Sequence, residues 1–254
     1  LAGDTAGADL DVLRAALDLF AGFSGRKLLV AGNHGLWRAN GESSLDRYER
    51  LLPAVAAEAG WHLLDTGPVM AGGVGLVGSI GWYDYSFADP SLGIPAAFYR
   101  AKVSPGAART LGICPDLLDA HRDELGDRQL ELRSRWMDGV RVNLDMSDEA
   151  FLARVDARLG RHLAEAAQRA HRVVAFLHHL PFRELLPPDR PDKFRFAGAF
   201  LGAEGLGRTL RACPKLTHVY CGHSHWPMRL RVGPLEVVNV GSTYTEKRYE
   251  VLDV

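Results

Sequence analysis

Tyr220-Cys221-Gly222-His223-Ser224-His225-Trp226-Pro227 places two imidazoles at i and i+2, directly after an apolar run, Leu216 to Cys221, that reads as a strand. Gly222 falls where the strand must turn, and Pro227 prevents a helix from forming across the pair. Two histidines this close on irregular backbone can aim their nitrogens into one small volume, as neighbouring metal ions require. Taken alone the pair carries little weight, because exposed histidines are common. Its meaning depends on whether other strand ends supply matching donors.

Three further strand ends do. Lys27 to Ala31 is a short apolar run leading into Gly32-Asn33-His34-Gly35, and Val173 to Leu177 leads into His178-His179-Leu180-Pro181. Leu1-Ala2-Gly3-Asp4 reads as the end of a strand followed by a Gly-rich turn that exposes Asp4. Between Asp4 and Asn33 lies one β-loop-α unit, with Leu10, Leu13, Leu17 and Phe20 at helical spacing predicting a helix over 9–23. In open α/β sheets the carboxyl edge of the strands is where ligands bind. Singly, each of these residues has an ordinary structural reading: Gly-Asp and Asn-His initiate turns, and a histidine after a strand is commonly a hydrogen-bonded core residue. Together they form a set of oxygen and imidazole donors without thiolates, which suits Mn, Fe or Zn.

The remaining pattern agrees with an α/β chain. Leu45, Tyr48, Leu51, Leu52 and Val55 share one helical face over 44–59, and short strands are expected around 62–64 and 74–80. Ser147 is a plausible N-cap for the clearest helix, 148–170, whose stripe is Phe151, Val155, Leu159 and Leu163. A helix is expected near 206–212, and β-like runs at 228–232, 235–240 and 249–254. From about 81 to 145 the periodicity fades and prolines accumulate, which reads as an insertion or lid within a single domain spanning 1–254.

Composition bounds the function. With 254 residues, 47% of them apolar, the chain can bury a full core, and a formal net charge of −1 argues against an extended nucleic-acid surface. No run approaches the ~20 apolar residues of a membrane span. Three widely spaced cysteines suggest neither a disulfide framework nor a thiolate zinc site, so a reducing, cytoplasmic setting is the simpler reading.

Gly3-Asp4, Gly32-Asn33-His34, His178-His179 and Gly222-His223-Ser224-His225, in this order and spacing, resemble the second to fifth sequence blocks of the calcineurin-like metallophosphoesterases. The resemblance runs through to Asn239-Val240-Gly241-Ser242. It implies a four-layer αββα sandwich of two mixed sheets flanked by helices, with two divalent metal ions at the sheet edge. Carried over, Asp4 bridges both ions, Asn33, His178 and His223 complete the second site, and His225 belongs to the first. His34 becomes the cleft histidine that stabilises or protonates the leaving oxygen. His178 is preferred to His179 as ligand because it is the first residue past the strand, which leaves His179 behind the ligands or facing substrate.

The chain departs from the family in two places. The family's first block, Asp-x-His, would precede Asp4, where only Leu1, Ala2 and Gly3 stand, so the N-terminal strand is expected to be missing and the first metal site incomplete, with poor turnover. Gly35 replaces the acid that usually follows Asn-His and orients the imidazole. The implied activity is hydrolysis of a small phosphomonoester or phosphodiester, nucleotide-like substrates being favoured, by metal-activated hydroxide. The alternative is a catalytically impaired scaffold that binds a partner protein. Trp226 and the Trp82 to Tyr85 cluster are read either as a wall for a base or apolar leaving group or as packing, the latter being preferred for Trp82. Arg183, Arg190, Lys193 and Arg195 are read either as steering an anionic substrate or as a solvated loop with Glu184, Asp189 and Asp192 interspersed.

Overall fold

The computed structural model describes residues 1–39 and 41–252. Among the described residues, eight strands form two sheets. The large sheet holds β3 (Val69–Ala71), β4 (Val74–Ser79), β5 (Arg172–Leu177), β6 (Leu216–Cys221), β7 (Met228–Val232) and β8 (Leu235–Asn239), in the order β3-β4-β5-β6-β8-β7. Its centre, β4-β5-β6-β8, is parallel, and the edge strands β3 and β7 run antiparallel, so the sheet is mixed. The small sheet pairs β1 (Lys27–Leu29) with β2 (Trp61–Leu63) in parallel, and Ala2 bridges Val30 at its edge. With helices flanking both sheets, the architecture is the expected mixed α/β sandwich.

Register decides where the donors fall. Ser79 pairs with Leu177, Phe176 with Tyr220 and Cys221 with Asn239, so the parallel strands end together. Residues just beyond them, His178 and Gly222 among them, therefore share one edge, and the Gly222 N–H donates to His178 O at 3.2 Å.

The helix Asp148–Arg169 begins where Ser147 accepts from the Ala150 N–H. It buries Phe151, Val155, Leu159, Leu163 and Ala166 in one cluster with Val77, Ala175 and Leu177 of the large sheet. Burial of five such side chains stabilises by roughly 1.5–3 kcal/mol for each large one, which outweighs any propensity term in the helix. The opposite face of the sheet carries Val74, Val174, Tyr220 and Val238.

Some expected elements end early. The first helix covers Leu10–Asp18, capped by Asp9, and buries only Leu13 and Leu17. Leu19 and Phe23 are exposed beyond it, where Gly22 and Gly25 disfavour a further helical turn. Phe20 instead packs edge-on against Trp61. Residues 249–252 carry no strand, and the last two residues of that expected β-run lie outside the described residues. The segment 81–145 is built from short helical turns, and its last helix, Asp138–Arg141, returns to the donor edge. Among the described residues, no helix is long and apolar enough to cross a membrane.

Candidate metal centre and cleft

The glycines that precede two of the donors are there because other donors press on them. A Cβ on Gly3 would lie 2.2 Å from His178 Nδ1, and a Cβ on Gly32 would lie 2.2 Å from both the backbone N and Oδ1 of Asp4. The loops thus interlock in series, His178 seated on the bare backbone of Gly3 and Asp4 on that of Gly32. Asp4 (φ 45°), His223 (66°) and His225 (56°) all adopt the left-handed conformation that L residues avoid. Strain of this kind persists only where the surroundings over-determine it.

Side-chain atoms of Asp4, His178 and His223 lie within 4.8 Å of one another. Asn33 joins them, its Oδ1 3.1 Å from His178 Nε2, and Asp4 Oδ2 is 3.3 Å from the same nitrogen. His178 Nδ1 donates to Ala2 O at 3.0 Å, which fixes the tautomer of the neutral ring. Its Nε2 is then a lone pair facing two oxygen acceptors. Three sets of lone pairs converge with nothing between them to donate, and only a proton or a cation reconciles them. His223 Nε2 donates to Phe200 O at 3.3 Å, leaving Nδ1 as the free donor atom of that ring. The residues fit a divalent cation of the oxygen- and imidazole-preferring kind.

Electrostatics in the cation-free state follow from the same contacts. Burial works to raise the Asp4 carboxyl, but the charge and hydrogen bond of His178, with His34 and His223 adding to them, hold it well below the usual carboxylate range. Burial opposes protonation of His178, yet Asp4 wins and raises it. Burial, with the neighbouring imidazoles adding to it, pushes His179 and His223 well below the ordinary histidine range. A proton shared by Asp4 and His178 therefore stands where a cation would compete.

His179 is fully buried, donates through Nδ1 to Ile80 O at 2.8 Å, and leaves Nε2 without a partner. Its ring packs 4.3 Å from that of His223. The structure thus brings Asp4, Asn33, His178 and His223 together, with His179 behind them. His225 faces the same cleft but lies outside the tight group, edge-on to Tyr244 at 5.0 Å. His34 also faces the cleft: its N–H donates to Asp4 Oδ1 at 3.1 Å, and its ring lies tilted against that of Trp37, centroids 3.9 Å apart. At Gly35 a Cβ would meet Leu52, 3.2 Å away, and Gly35 O accepts from the buried Arg47.

The cleft has a volume of about 390 Å³, and its walls include Trp37, Trp136 and Tyr244, with Arg135 and Arg190 among its cations. Arg183 lies away from it, against Phe87 and paired with Glu204, and Trp226 is nearly half exposed and is not part of the lining. Trp82 is fully buried and donates to Asp148, a packing role. Another cavity, of about 500 Å³, lies beside β7 and β8 and holds none of these donors.

Sequence reading missed two buried carboxylates. Asp65 accepts from the Ala31 N–H (2.9 Å), the Ile80 N–H (2.5 Å) and the Tyr48 hydroxyl (3.0 Å), so it straps together the loops leaving β1 and β4. Asp138 accepts from Asn33, Trp37, Tyr83 and Trp136. Both lie in segments whose local pattern is unremarkable for an acid, and only tertiary packing identifies them.

No protein-family profile matches the chain, and no curated protein matches it. Among solved structures it is similar to the phosphopantetheinyl hydrolase PptH from Mycobacterium tuberculosis, with a TM-score of 0.65 and 18% identity over 94% of this chain and 76% of that one. A candidate 5′-nucleotidase from Staphylococcus aureus, solved with alpha-ketoglutarate, matches at a TM-score of 0.44 and 14% identity, over 94% of this chain and 38% of that chain. At these identities the likeness concerns architecture, and the architecture shared with PptH is the two-sheet sandwich described above.

Proposed function

We propose that this chain is a metal-dependent phosphoesterase of the calcineurin-like kind, hydrolysing a small phosphomonoester or phosphodiester. The observation that carries the reading is the convergence of lone pairs from Asp4, Asn33 and His178 beside His223, which only a proton or a cation among them reconciles. The fold shared with a hydrolase supports it. Asp4, Asn33, His178 and His223 would hold one divalent cation, and Asp4 with His225 would face a second. Bound there, such cations supply positive charge to a phosphoryl oxygen and acidify water.

The chain's own groups supply the rest. His34 stands in the cleft with its backbone pinned to Asp4 and its ring held against Trp37, and it would stabilise or protonate the leaving oxygen. Trp37, Trp136 and Tyr244 offer flat apolar faces to a leaving group, planar nucleotide-like ones included. Arg135 and Arg190, which form no ion pair within 4 Å among the described residues, attract an anionic substrate to the cleft. The test is hydrolysis of bis(p-nitrophenyl) phosphate with Mn²⁺, alongside metal analysis. Turnover that requires Mn²⁺ and disappears with EDTA is expected. His34→Ala should lower kcat roughly 10²–10⁴-fold while Mn²⁺ affinity stays unchanged. No bound transition metal and no Mn²⁺-dependent hydrolysis would refute the reading.

A further inference from the structure

Asp138 is buried, 105 positions from Asn33 in sequence, at the start of the helix Asp138–Arg141. Its Oδ1 accepts from Asn33 Nδ2 at 2.9 Å and from Trp37 Nε1 at 2.8 Å. Its Oδ2 accepts from Trp136 Nε1 at 2.8 Å, from the Tyr83 hydroxyl at 3.1 Å, and from Asn33 Nδ2 again at 3.2 Å. All four donors are neutral. A buried carboxylate without a cation is costly, and an ordinary core would place an apolar residue here at less expense.

The cost is intelligible from what the carboxylate does to the Asn33 amide. An asparagine side chain can flip, exchanging Nδ2 for Oδ1. Here one end of the amide faces Asp138 and the other faces His178 Nε2, the atom that Asp4 Oδ2 also approaches. A carboxylate accepts only, so it repels Oδ1 and admits only Nδ2. The amide oxygen is thereby turned toward the converging donors, where it adds a ligand. Flipped, the amide would present N–H groups there and fill the space intended for a cation. Trp37 and Trp136, held by the same carboxylate, are walls of the cleft, so one group sets both the ligand and the surface beside it.

We infer that Asp138 is a positioning residue that locks the Asn33 amide with its oxygen toward the metal centre and ties it to the Trp37 and Trp136 walls of the substrate cleft. The inference rests on reading Asp4, Asn33, His178 and His223 as a cation site, and the experiment separates the two. Mn²⁺ binding is measured by calorimetry on the parent chain, Asp138→Asn, Asn33→Ala and the double variant. Asp138→Asn should weaken binding about 10–100-fold, the effect typical of groups that orient a ligand. In the double variant it should add nothing to Asn33→Ala. Independently, the Asn33 side-chain amide protons of the metal-free parent, observed by ¹⁵N-edited NMR, should exchange far more slowly than those of exposed asparagines. That measurement decides the lock even if Asp138→Asn does not fold or the parent binds no Mn²⁺, the latter outcome counting against the cation reading alone. Fast exchange of those protons, full Mn²⁺ affinity in Asp138→Asn, or additive losses in the double variant would overturn the inference.

Discussion

Replacing Gly32 by alanine tests the interlock at the donor edge directly. The backbone at Gly32 has φ −117° and ψ 165°, which alanine adopts freely, so any cost arises from contact alone. The new Cβ would lie 2.2 Å from Asp4 N, 2.2 Å from Asp4 Oδ1 and 2.9 Å from Asp4 Cγ. Ordinary non-bonded separations are about 3.5–4.0 Å, so something must move by roughly 1 Å. Asp4 cannot yield easily: its own φ is already left-handed, and its carboxylate is engaged by His34 and His178. Overpacking of this sort costs about 1–3 kcal/mol, and a clash with backbone belongs at the upper end. At about 2–4 °C per kcal/mol for a chain near this size, Tm should fall by several degrees, toward about 10 °C. Since the displaced group is Asp4, Mn²⁺ affinity should fall with it. Gly7→Ala is the control, because nothing lies within 4 Å of a Cβ there. It should leave binding intact and be neutral or stabilising by up to about 1 kcal/mol. Scanning calorimetry and Mn²⁺ titration on the three proteins suffice. A Gly32→Ala chain that melts with the parent and binds Mn²⁺ equally well would refute the interlock.

Asp65→Ala leaves the Ala31 and Ile80 amides and the Tyr48 hydroxyl without their shared acceptor, and at about 1–3 kcal/mol per orphaned group the loss should reach on the order of 3 kcal/mol or more. Tyr48→Phe removes one donor only and should cost about 1 kcal/mol; urea denaturation distinguishes the two. Arg190→Gln and Arg135→Gln should each raise KM for an anionic phosphodiester with kcat little changed, whereas Arg183→Gln, remote from the cleft, should alter neither. Equal kinetics for all three would remove the arginines from the substrate's path.

What could be read ahead of the structure was what is encoded locally. The 148–169 helix follows from a capping serine and four apolar residues at i+4 spacing, and both were legible. His178 and His223 were legible because they follow the ends of apolar strands whose parallel register carries them to one edge, and Asn33 and Asp4 because they close short runs, Lys27 to Ala31 and Leu1 to Gly3, that meet at the Ala2–Val30 bridge. The arginines show the limit of the method. Arg183 and Arg190 share a loop and a charge, and only tertiary packing sends one to Glu204 and the other to the cleft. Asp138 was invisible for the same reason: its partners are the side chains of Asn33, Trp37, Tyr83 and Trp136, most of them remote in sequence. Trp37 reaches that carboxylate from 101 positions away, whereas Trp136 stands only two residues before it.

The left-handed backbone at Asp4, His223 and His225 has a consequence for how this chain would respond to engineering. Holding a non-glycine residue in that conformation costs roughly 1–2 kcal/mol at each position, a cost that glycine largely escapes. A library selected only for resistance to heat, without metal and without substrate, would therefore be drawn toward glycine or asparagine at positions 4, 223 and 225. On the proposed function, thermal selection and selection for turnover would pull the same three codons in opposite directions, and a stabilised variant that keeps all three side chains must find its gains elsewhere.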